Sequence, residues 1–456
     1  MTKEFDIVFI GSGPAGFAGA IRAAQLGAKV AVIEMGFLGG VCLNRGCIPT
    51  KSMLHSSQTF ADVLAAPKYG ITIENVNYDL CKMLDLRTKN IEKIRGGLER
   101  TMRANGIEII QGIAKVDKNG GLTVKQSKEV IAIQYKHLII ATGSKPRMLD
   151  NLPKDMVLNS DTILGLSEYP ERTLIIGSGA IGVEWARILN ALGKKVIVLE
   201  LADRLAPIMD ESISDTISRI FKKQRIEFYT SASVEKIDGN KITLSNSKEI
   251  EVDKILVAVG RVPFDIGLQE LELERVKGFI KVDENFKTSV DNIYAVGDIT
   301  GLQMLAHTAS AQSVRLVEYL LRGKEININY TNIPSVIYGK PELASVGKTE
   351  QSLKSEGIEY KVSKLPLTIS AKAYIDAELD GMVKVLSVDN KIVGASVVAN
   401  DASGLMQPLA MAIELGTPID KLNEIVYAHP TTTEAVSEAI LDLEDKAIFV
   451  PPKVNK

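Results

Sequence analysis

The sequence predicts an α/β protein with two similar strand–helix–strand units, followed by a separate α+β region. Residues 6–34 and 172–200 each have the pattern of an apolar strand, a glycine-rich turn, a helix and a second strand. From about Thr331 the pattern changes to short alternating strands between helices, such as GMVKVLSV and KIVGASVVA. A chain of 456 residues is also long enough for about three domains with cores of their own.

The two glycine-rich segments have the spacing of a dinucleotide-binding turn. DIVFIGSGPAGFAGAIRAAQLGAKVAVIE and RTLIIGSGAIGVEWARILNALGKKVIVLE both place G-x-G-x-x-G between an apolar strand and a helix. One such match is weak evidence, but two complete units in one chain predict two Rossmann-like domains. The glycines would permit the turn, the approach of a pyrophosphate and close helix packing, and they are Gly11, Gly13, Gly16, Gly177, Gly179 and Gly182.

Each unit ends on a carboxylate, which is Glu34 in the first unit and Glu200 in the second. A carboxylate at this position accepts hydrogen bonds from a ribose 2′-hydroxyl and repels a 2′-phosphate. We therefore expect both units to bind an unphosphorylated adenosine ribose, as in FAD or NAD, rather than NADP. Arg204 is the one residue that could favour a phosphate, although a solvated surface arginine is the preferred interpretation.

Each unit closes on a further apolar strand that ends in glycine. HLIIATG ends at Gly143 and KILVAVG ends at Gly260, and a later strand, NIYAVGD, leads to Asp298. The first unit is the longer one, and its extra length contains GGVCLNRGCIPTK. Two cysteines are thus inserted close to the cofactor that the first unit binds.

Composition and charge exclude several classes of function. The chain has 45% hydrophobic and 24% charged residues and a formal net charge of −2, so it offers no general attraction to nucleic acid or an anionic membrane. The first residues lack the layout of a signal peptide, and no stretch reaches the ~18 apolar residues of a membrane span. We expect a cytoplasmic protein without nucleic-acid or membrane partners.

The inserted cysteines, Cys42 and Cys47, allow three interpretations. A zinc site would need further ligands, and neither cysteines nor a histidine pair at metal spacing accompany the segment. Two core thiols are the ordinary expectation for an isolated pair. A redox disulfide would require a bend, because residues five apart in a helix have Cα atoms about 8.6 Å apart. Gly39, Gly40 and Gly46 would allow that bend.

A helix that begins at or near Cys47 is predicted by PTKSMLHSSQTFADVL, with Pro49 in its first turn. The helix dipole would then favour the thiolate form of Cys47 and leave Cys42 as the more exposed, attacking thiol. The third cysteine, Cys81, has no partner at a suggestive spacing and is interpreted as structural.

GGVCLNRGCIPTK closely resembles the redox-active segment of the pyridine nucleotide disulfide oxidoreductases. Both G-x-G-x-x-G units, ATG, AVGRVPF, YAVGDITGLQMLAHTASAQ, YGKPELASVG and AHPTTTEA follow in the order of that family. The resemblance covers nearly the whole chain and is strongest to the members that oxidise dihydrolipoamide. It implies a glutathione-reductase-like fold with FAD on the first unit, NAD on the second and a C-terminal domain through which two copies form a homodimer.

The resemblance also implies roles for single residues. Cys47 would be the thiol next to the flavin, and Cys42 would exchange with the substrate. Lys51 and Glu184 would form an ion pair near the flavin. Further cofactor contacts are implied at Ala141, Thr142, Gly143, Gly260, Asp298, Leu305, Ala306 and His307. Ser12, Pro14 and Thr50 depart from the usual family residues, and none is a reacting group.

By the same resemblance, His429 and Glu434 would reach the disulfide of the other subunit, with His429 as the base. Without the resemblance, Thr431 and Glu434 also match a capping box that opens the helix AVSEAILDL. A lone histidine is likewise more often structural than catalytic. Thiol chemistry needs a base that titrates near neutral pH, and His429 before a proline would occupy a fixed position.

Together, the residues and the resemblance predict a flavoprotein that oxidises the dihydrolipoamide of a lipoylated carrier protein with NAD. The carrier would be the acyltransferase subunit of a 2-oxo acid dehydrogenase or the glycine-cleavage H protein. An NAD(P)H-dependent reductase of a small disulfide and a non-catalytic NAD-binding flavoprotein are the alternatives. The predicted domains are residues 1–146 for FAD, 147–264 for NAD, 265–330 completing the FAD domain, and 331–456 for dimerisation.

Overall fold

The structure is a computed structural model that describes residues 3–451. Its first sheet is built on five parallel strands, which lie side by side in the order Glu108–Gln111, Val30–Glu34, Lys3–Ile10, Val130–Ile140 and Ile293–Ala295. Two antiparallel strands extend this sheet from the first half of its longest strand, and they are Leu122–Lys125 and Ile113–Val116.

The parallel strands of the first sheet are covered on both faces. Helices Pro14–Gln25 and Ala306–Arg322 pack against one face and against each other. The antiparallel strands and residues 268–290 cover the other face. Ile7, Val8 and Phe9 consequently have no exposed surface. This double coverage explains why the strand sequences are continuously apolar rather than alternating.

The second sheet repeats this arrangement with five parallel strands, in the order Glu227–Tyr229, Lys195–Leu199, Arg172–Ile176, Lys254–Val257 and Val157–Leu158. Helices Ala180–Ala191 and Glu211–Lys223 pack in the same core cluster as Leu256. Three antiparallel strands pack in a further core, and they are Val234–Asp238, Lys241–Leu244 and Glu249–Glu251. In both sheets the strand before the glycine-rich turn is central, as the repeat predicts.

The third sheet is antiparallel, in the order Ser335–Ile337, Glu342–Gly347, Lys391–Ala399, Met382–Val388 and Lys361–Pro366. It packs with two longer helices, Ala402–Leu415 and Glu434–Asp442, around a core of its own. Three shorter helices complete this C-terminal domain, and they are Glu350–Glu356, Ala371–Ile375 and Ile419–Leu422.

The cysteine segment and its surroundings are helical, with bounds Gly40–Arg45, Cys47–Ala65 and Leu80–Ala104. Single 3-10 turns occur at Ala66–Tyr69, Ile163–Gly165, Gly297–Thr300, Tyr330–Asn332 and Leu367–Ile369. Two small antiparallel pairs are Ser144–Pro146 with Arg261–Pro263, and Arg275–Val276 with Phe279–Ile280. Helix Cys47–Ala65 packs against Ala180–Ala191, the first helix of the second unit.

The architecture confirms the predicted α/β class, with two Rossmann-like units and a C-terminal α+β domain. The strand Ile293–Ala295, which belongs to the central segment 265–330, lies in the first sheet beside Val130–Ile140. Within residues 3–451, no helix is both long and apolar enough to cross a membrane.

A group of three charged residues, two of them buried, joins the second unit to the C-terminal domain. Lys384 Nζ lies 2.8 Å from Asp210 Oδ1 and 2.5 Å from Glu350 Oε2, and the Asp210 side chain has no exposed surface. Asp210 also accepts hydrogen bonds from the N–H groups of Ser212 and Glu350. Burial would raise the pKa of both carboxyls, but their hydrogen bonds outweigh it. The pKa of Asp210 lies below its ordinary value, and that of Glu350 falls to about 2.

Lys384→Met should destabilise the fold strongly at neutral pH, because two carboxylates would lose their buried cation. Removing one partner of a buried ion pair typically lowers the free energy of unfolding by about 3–5 kcal/mol. The stabilisation by these low-pKa carboxylates is present above the ordinary carboxyl pKa and is lost as the pH falls through their folded-state values. Thermal unfolding measured between pH 8 and pH 3 should therefore show a large difference from wild type that narrows with acidification.

Lys361→Met, at an exposed position on the same sheet, is the matched control and should behave as wild type at every pH. An unfolding midpoint of Lys384→Met equal to that of this control at neutral pH would contradict the proposed stabilisation.

Candidate active site

The cysteine segment forms two helices that meet at Gly46. Helix Gly40–Arg45 ends before this residue and helix Cys47–Ala65 begins after it. The interruption brings the Cα atoms of Cys42 and Cys47 to 4.7 Å, where an unbroken helix would hold them about 8.6 Å apart. The two residues form a disulfide. Among the described residues, no group of three or more His, Cys, Asp or Glu side chains could hold a metal ion.

Gly39 and Gly40 let this segment approach the first glycine-rich turn. Their φ values are 94° and 62°, in the region that favours glycine. A Cβ atom on Gly40 would lie 2.6 Å from the Cα atom of Gly13, so only glycine permits this approach. The disulfide segment therefore lies directly against the turn of the first unit, as its position in the sequence predicts.

The exposure of the cysteines was predicted to differ. Cys42 and Cys47 are both half-buried, and the greater accessibility of Cys42 stays a prediction. Cys81 is a free, exposed thiol in the first turn of helix Leu80–Ala104. Cys81 is therefore not a core residue, and the interpretation of it as structural is wrong.

The two glycine-rich turns have the same geometry. Gly11 and Gly177 have φ values of 101° and 102°, which only glycine adopts readily. A Cβ atom on Gly16 would lie 1.9 Å from the carbonyl oxygen of Gly11, and the same distance would separate a Cβ atom on Gly182 from that of Gly177. Each helix thus packs against its turn more closely than any other residue would allow.

The second glycine of each turn leaves space for a ligand. A Cβ atom on Gly13 would meet one atom at 3.9 Å, and one on Gly179 would meet nothing within 4 Å. No side chain caps the helices that begin after these glycines, so their first N–H groups are free to bind phosphate. The hydroxyl of Thr142 is also buried without a hydrogen-bond partner among the described residues. These features fit one dinucleotide on each unit.

Each acidic residue is held by the serine of its own turn. Glu34 Oε2 accepts hydrogen bonds from the N–H and hydroxyl groups of Ser12, at 3.0 and 2.5 Å. Glu200 Oε2 accepts the same pair from Ser178, at 2.8 and 2.7 Å. This role of the serines was not predicted, although serine occupies the middle of G-x-G in both copies. Arg204 donates to the carbonyl oxygen of Pro207 at 2.8 Å.

Lys51 and Glu184 form an ion pair between the two units. Lys51 Nζ lies 2.8 Å from both carboxylate oxygens of Glu184. The Glu184 side chain is 4% exposed and that of Lys51 is 33% exposed. Because Lys51 follows Cys47 by one helical turn, its side chain leaves the helix on the same face as the disulfide.

The remaining predicted residues of the first unit lie where its parallel strands end. Asp298 follows strand Ile293–Ala295, and its Oδ2 accepts a hydrogen bond from the Ser144 hydroxyl at 2.6 Å. Arg261 donates to that hydroxyl at 2.6 Å and to the Ser144 carbonyl at 2.8 Å. Ser144 and Arg261 were not predicted as site residues. Ala141, Thr142 and Gly143 follow Val130–Ile140 directly.

The segment Leu305, Ala306 and His307 opens helix Ala306–Arg322, again without a side-chain cap. His307 Nε2 lies 2.9 Å from the carbonyl oxygen of Pro334. In the second unit, Gly260 follows strand Lys254–Val257 and has no atom within 4 Å of an added Cβ atom. Ligands of parallel α/β sheets bind outside the carboxyl ends of the strands, which is where these residues lie.

His429 and Glu434 are in direct contact. His429 Nδ1 lies 2.8 Å from Glu434 Oε1, and the Thr431 N–H donates to Glu434 Oε2 at 2.8 Å. Burial would raise the pKa of Glu434, but the hydrogen bonds from Thr431 and His429 outweigh it and hold this pKa below its ordinary value. The Glu434 carboxylate thus forms one half of the predicted capping box, although the helix begins at Glu434 itself with Thr433 as its N-cap, and it also holds the imidazole. The role of His429 at the disulfide of another subunit stays a prediction.

The His429 side chain is 71% exposed. Among the described residues, it makes no hydrogen bond to Cys42 or Cys47 of its own chain. The single chain thus presents an oriented histidine and a separate disulfide.

Comparison with known proteins identifies the family. The model of the pyridine nucleotide-disulphide oxidoreductases matches residues 5–313, and that of the dimerisation domain of the same family matches residues 333–440. The chain belongs to the pyridine nucleotide-disulphide oxidoreductases. It is a flavoprotein disulfide oxidoreductase of the dihydrolipoyl dehydrogenase group, uses FAD and NAD, and has the domain through which this family forms homodimers.

Curated relatives of this oxidoreductase span nearly the full chain. The mitochondrial dihydrolipoyl dehydrogenase of Pisum sativum is 36% identical and covers 98% of this chain and 93% of its own. The dihydrolipoyl dehydrogenase of Bacillus subtilis is 34% identical, with 96% of both chains covered. The leghemoglobin reductase of Glycine max is 36% identical, with 98% and 88% covered.

Two solved structures share the fold. LpdA from Mycobacterium tuberculosis superposes with a TM-score of 0.89 at 23% identity and covers 97% of this chain and 99% of its own. The Cu(II) complex of RclA, a HOCl-induced flavoprotein disulfide reductase from Escherichia coli, gives 0.85 at 26% identity and covers 96% and 99%.

Proposed function

We propose that this oxidoreductase oxidises dihydrolipoamide through the Cys42–Cys47 disulfide, with FAD as the bound redox group and NAD as the final acceptor. The observation that carries the proposal is the position of the disulfide. It lies against the glycine-rich turn of the first unit, on a helix that also supplies Lys51 to the second unit. Relatives named dihydrolipoyl dehydrogenase support this choice of dithiol.

The proposed thiol chemistry starts at the disulfide. A substrate thiolate attacks the Cys42 sulfur, which forms a mixed disulfide and releases Cys47 as a thiolate. The second substrate thiolate then attacks the substrate sulfur in that mixed disulfide, so the substrate leaves as a disulfide and the chain keeps both electrons as a dithiol. The N-terminus of helix Cys47–Ala65 favours the released thiolate. When bound, FAD and NAD carry this electron pair away from the dithiol.

His429 is proposed as the base that takes the substrate thiol proton, with Glu434 holding its ring. The 2.8 Å contact between them leaves the second ring nitrogen free for the substrate. Because the histidine is exposed and the family forms homodimers, each His429 is proposed to serve the disulfide of the other chain.

Preference for NAD over NADP is proposed from the second unit. Glu200 is fixed by Ser178 where a 2′-phosphate would have to lie, and like charges there would repel. The guanidinium of Arg204 donates a hydrogen bond to the Pro207 carbonyl, so its positive charge is not directed at the site where a 2′-phosphate would lie.

The proposed partner is a lipoylated carrier, either an acyltransferase subunit or a glycine-cleavage H protein. A cytoplasmic location is part of the proposal, because three cysteines in the sequence and the free thiol of Cys81 suit a reducing compartment. Reduction of a different disulfide is the second candidate, favoured by the likeness to the disulfide reductase RclA.

Cys42→Ser should abolish NAD reduction by dihydrolipoamide while FAD stays bound, because the attacked sulfur is lost but the glycine-rich turns are intact. Visible absorbance measures the FAD content. NADH oxidation by ferricyanide should persist, since it needs both dinucleotides but no disulfide. Cys81→Ser is the matched control, because it removes a free exposed thiol, and it should keep full activity. Dihydrolipoamide turnover by Cys42→Ser at the wild-type rate would rule out the disulfide as the route.

A mixed dimer tests the assignment of His429 to the other subunit. Cys42→Ser and His429→Gln homodimers should both be nearly inactive. A heterodimer of the two chains places both lesions in one site and leaves the other site complete, so about half of the wild-type kcat should return. A heterodimer as inactive as its parents would show that the histidine serves its own chain.

A further inference from the structure

Arg187 is a buried charge for which the proposed mechanism has no use. It lies on helix Ala180–Ala191, three residues after Glu184, so the two side chains share one face. The residue is 6% exposed. Its Nη1 donates to the carbonyl oxygens of Tyr338 at 3.2 Å and Pro341 at 2.5 Å. Its Nε and Nη2 have no hydrogen-bond partner among the described residues.

Tyr338 contacts Glu184, Arg187 and Lys51, each through a different part of the residue. Its N–H donates to Glu184 Oε1 at 3.1 Å, and its carbonyl accepts from Arg187. Lys51 Nζ lies over its ring, 4.7 Å from the centroid. Tyr338 belongs to the C-terminal domain, directly after strand Ser335–Ile337. One residue therefore touches both ends of the Lys51–Glu184 pair, and Arg187 holds its main chain.

The surroundings keep the guanidinium in one place. A Cβ atom on Gly339 would lie 2.2 Å from Arg187 Nη1, so the guanidinium packs directly against the backbone there. Burial lowers the pKa of Arg187 to about 10, and the charges of Glu184 and Glu342 oppose this shift. The group therefore remains a cation at neutral pH. A buried cation with two unpaired N–H groups is costly, so tight packing rather than hydrogen bonding at every nitrogen sets its position.

We propose that Arg187 is a positioning residue, which fixes the Tyr338 main chain and thereby the geometry of Lys51 and Glu184. Without it, the Tyr338 N–H and ring would no longer be held against the ion pair, and the Lys51 ammonium would move more freely. The effect on turnover rests on the proposed function, in which this pair lies next to the redox centre. The effect on the ion pair does not depend on that function.

Arg187→Met tests the positioning role in the holoenzyme, because it keeps an unbranched buried side chain and removes the donors. The rate at which an N-hydroxysuccinimide acetate ester acylates Lys51, measured by peptide mass spectrometry, should rise about tenfold, as expected for the loss of a charge-assisted contact. Lys89, exposed on helix Leu80–Ala104, serves as the internal reference and should react equally in all variants. Arg187→Lys keeps the charge and should restore most of the protection.

Arg219→Met is the matched control. Arg219 is an exposed arginine on helix Glu211–Lys223 whose Nη2 donates to Thr216 Oγ1, away from the ion pair, so its replacement controls for the loss of an arginine elsewhere in the second unit. This variant should leave the Lys51 acylation rate at the wild-type value.

The kinetic arm should separate positioning from substrate binding. In Arg187→Met, kcat for NAD reduction by dihydrolipoamide should fall about tenfold or more while KM for dihydrolipoamide stays unchanged, because misplacement affects the reacting groups only. FAD content should remain at the wild-type level.

Unchanged Lys51 acylation in Arg187→Met would overturn the inference. Raised acylation, with no turnover of dihydrolipoamide even by wild type, would support the positioning role and reject the proposed substrate. Should Arg187→Met fail to fold, Arg187→Met with Glu342→Gln removes the cation together with a neighbouring half-buried carboxylate. The same rise in Lys51 acylation is expected there, and its absence would count against the inference.

Discussion

The interruption of the helix at Gly46 is the feature on which the rest of the site depends. It brings Cys42 and Cys47 within bonding range and makes Cys47 the first residue of a new helix. That helix packs against the first helix of the second unit, where Lys51 meets Glu184. One local break thus produces both the disulfide and the contact between the two dinucleotide-binding units.

Buried charges link the second unit to the C-terminal domain at two places. Glu184 and Arg187 link the second unit to the start of the C-terminal domain through Tyr338. Lys384 links the same two parts through Asp210. Such pairs add little net stability but specify one arrangement, because any other leaves a charge buried without its partner.

Local patterns allowed most of the site to be predicted. The repeated turns, Glu34, Glu200 and the bend between the cysteines each follow from residue type and spacing, and the family resemblance added Lys51, Glu184 and His429. The roles of Ser12 and Ser178 could have been inferred from the repeat. Arg187 could not, because the carbonyl that it binds lies 151 residues away and no pattern connects them. Lys384 could not be predicted either, because it is a buried lysine within a mostly apolar strand and its partners lie in other elements.

The most direct test of the account is the anaerobic reduction of NAD and NADP by free dihydrolipoamide, with the reduction of oxidised glutathione by NADPH run beside it. We expect rapid reduction of NAD, slow reduction of NADP and no reduction of glutathione, because Glu200 selects the unphosphorylated ribose and the Cys42–Cys47 disulfide accepts a dithiol. No reduction of NAD by dihydrolipoamide, together with rapid NADPH-dependent reduction of another disulfide, would contradict it.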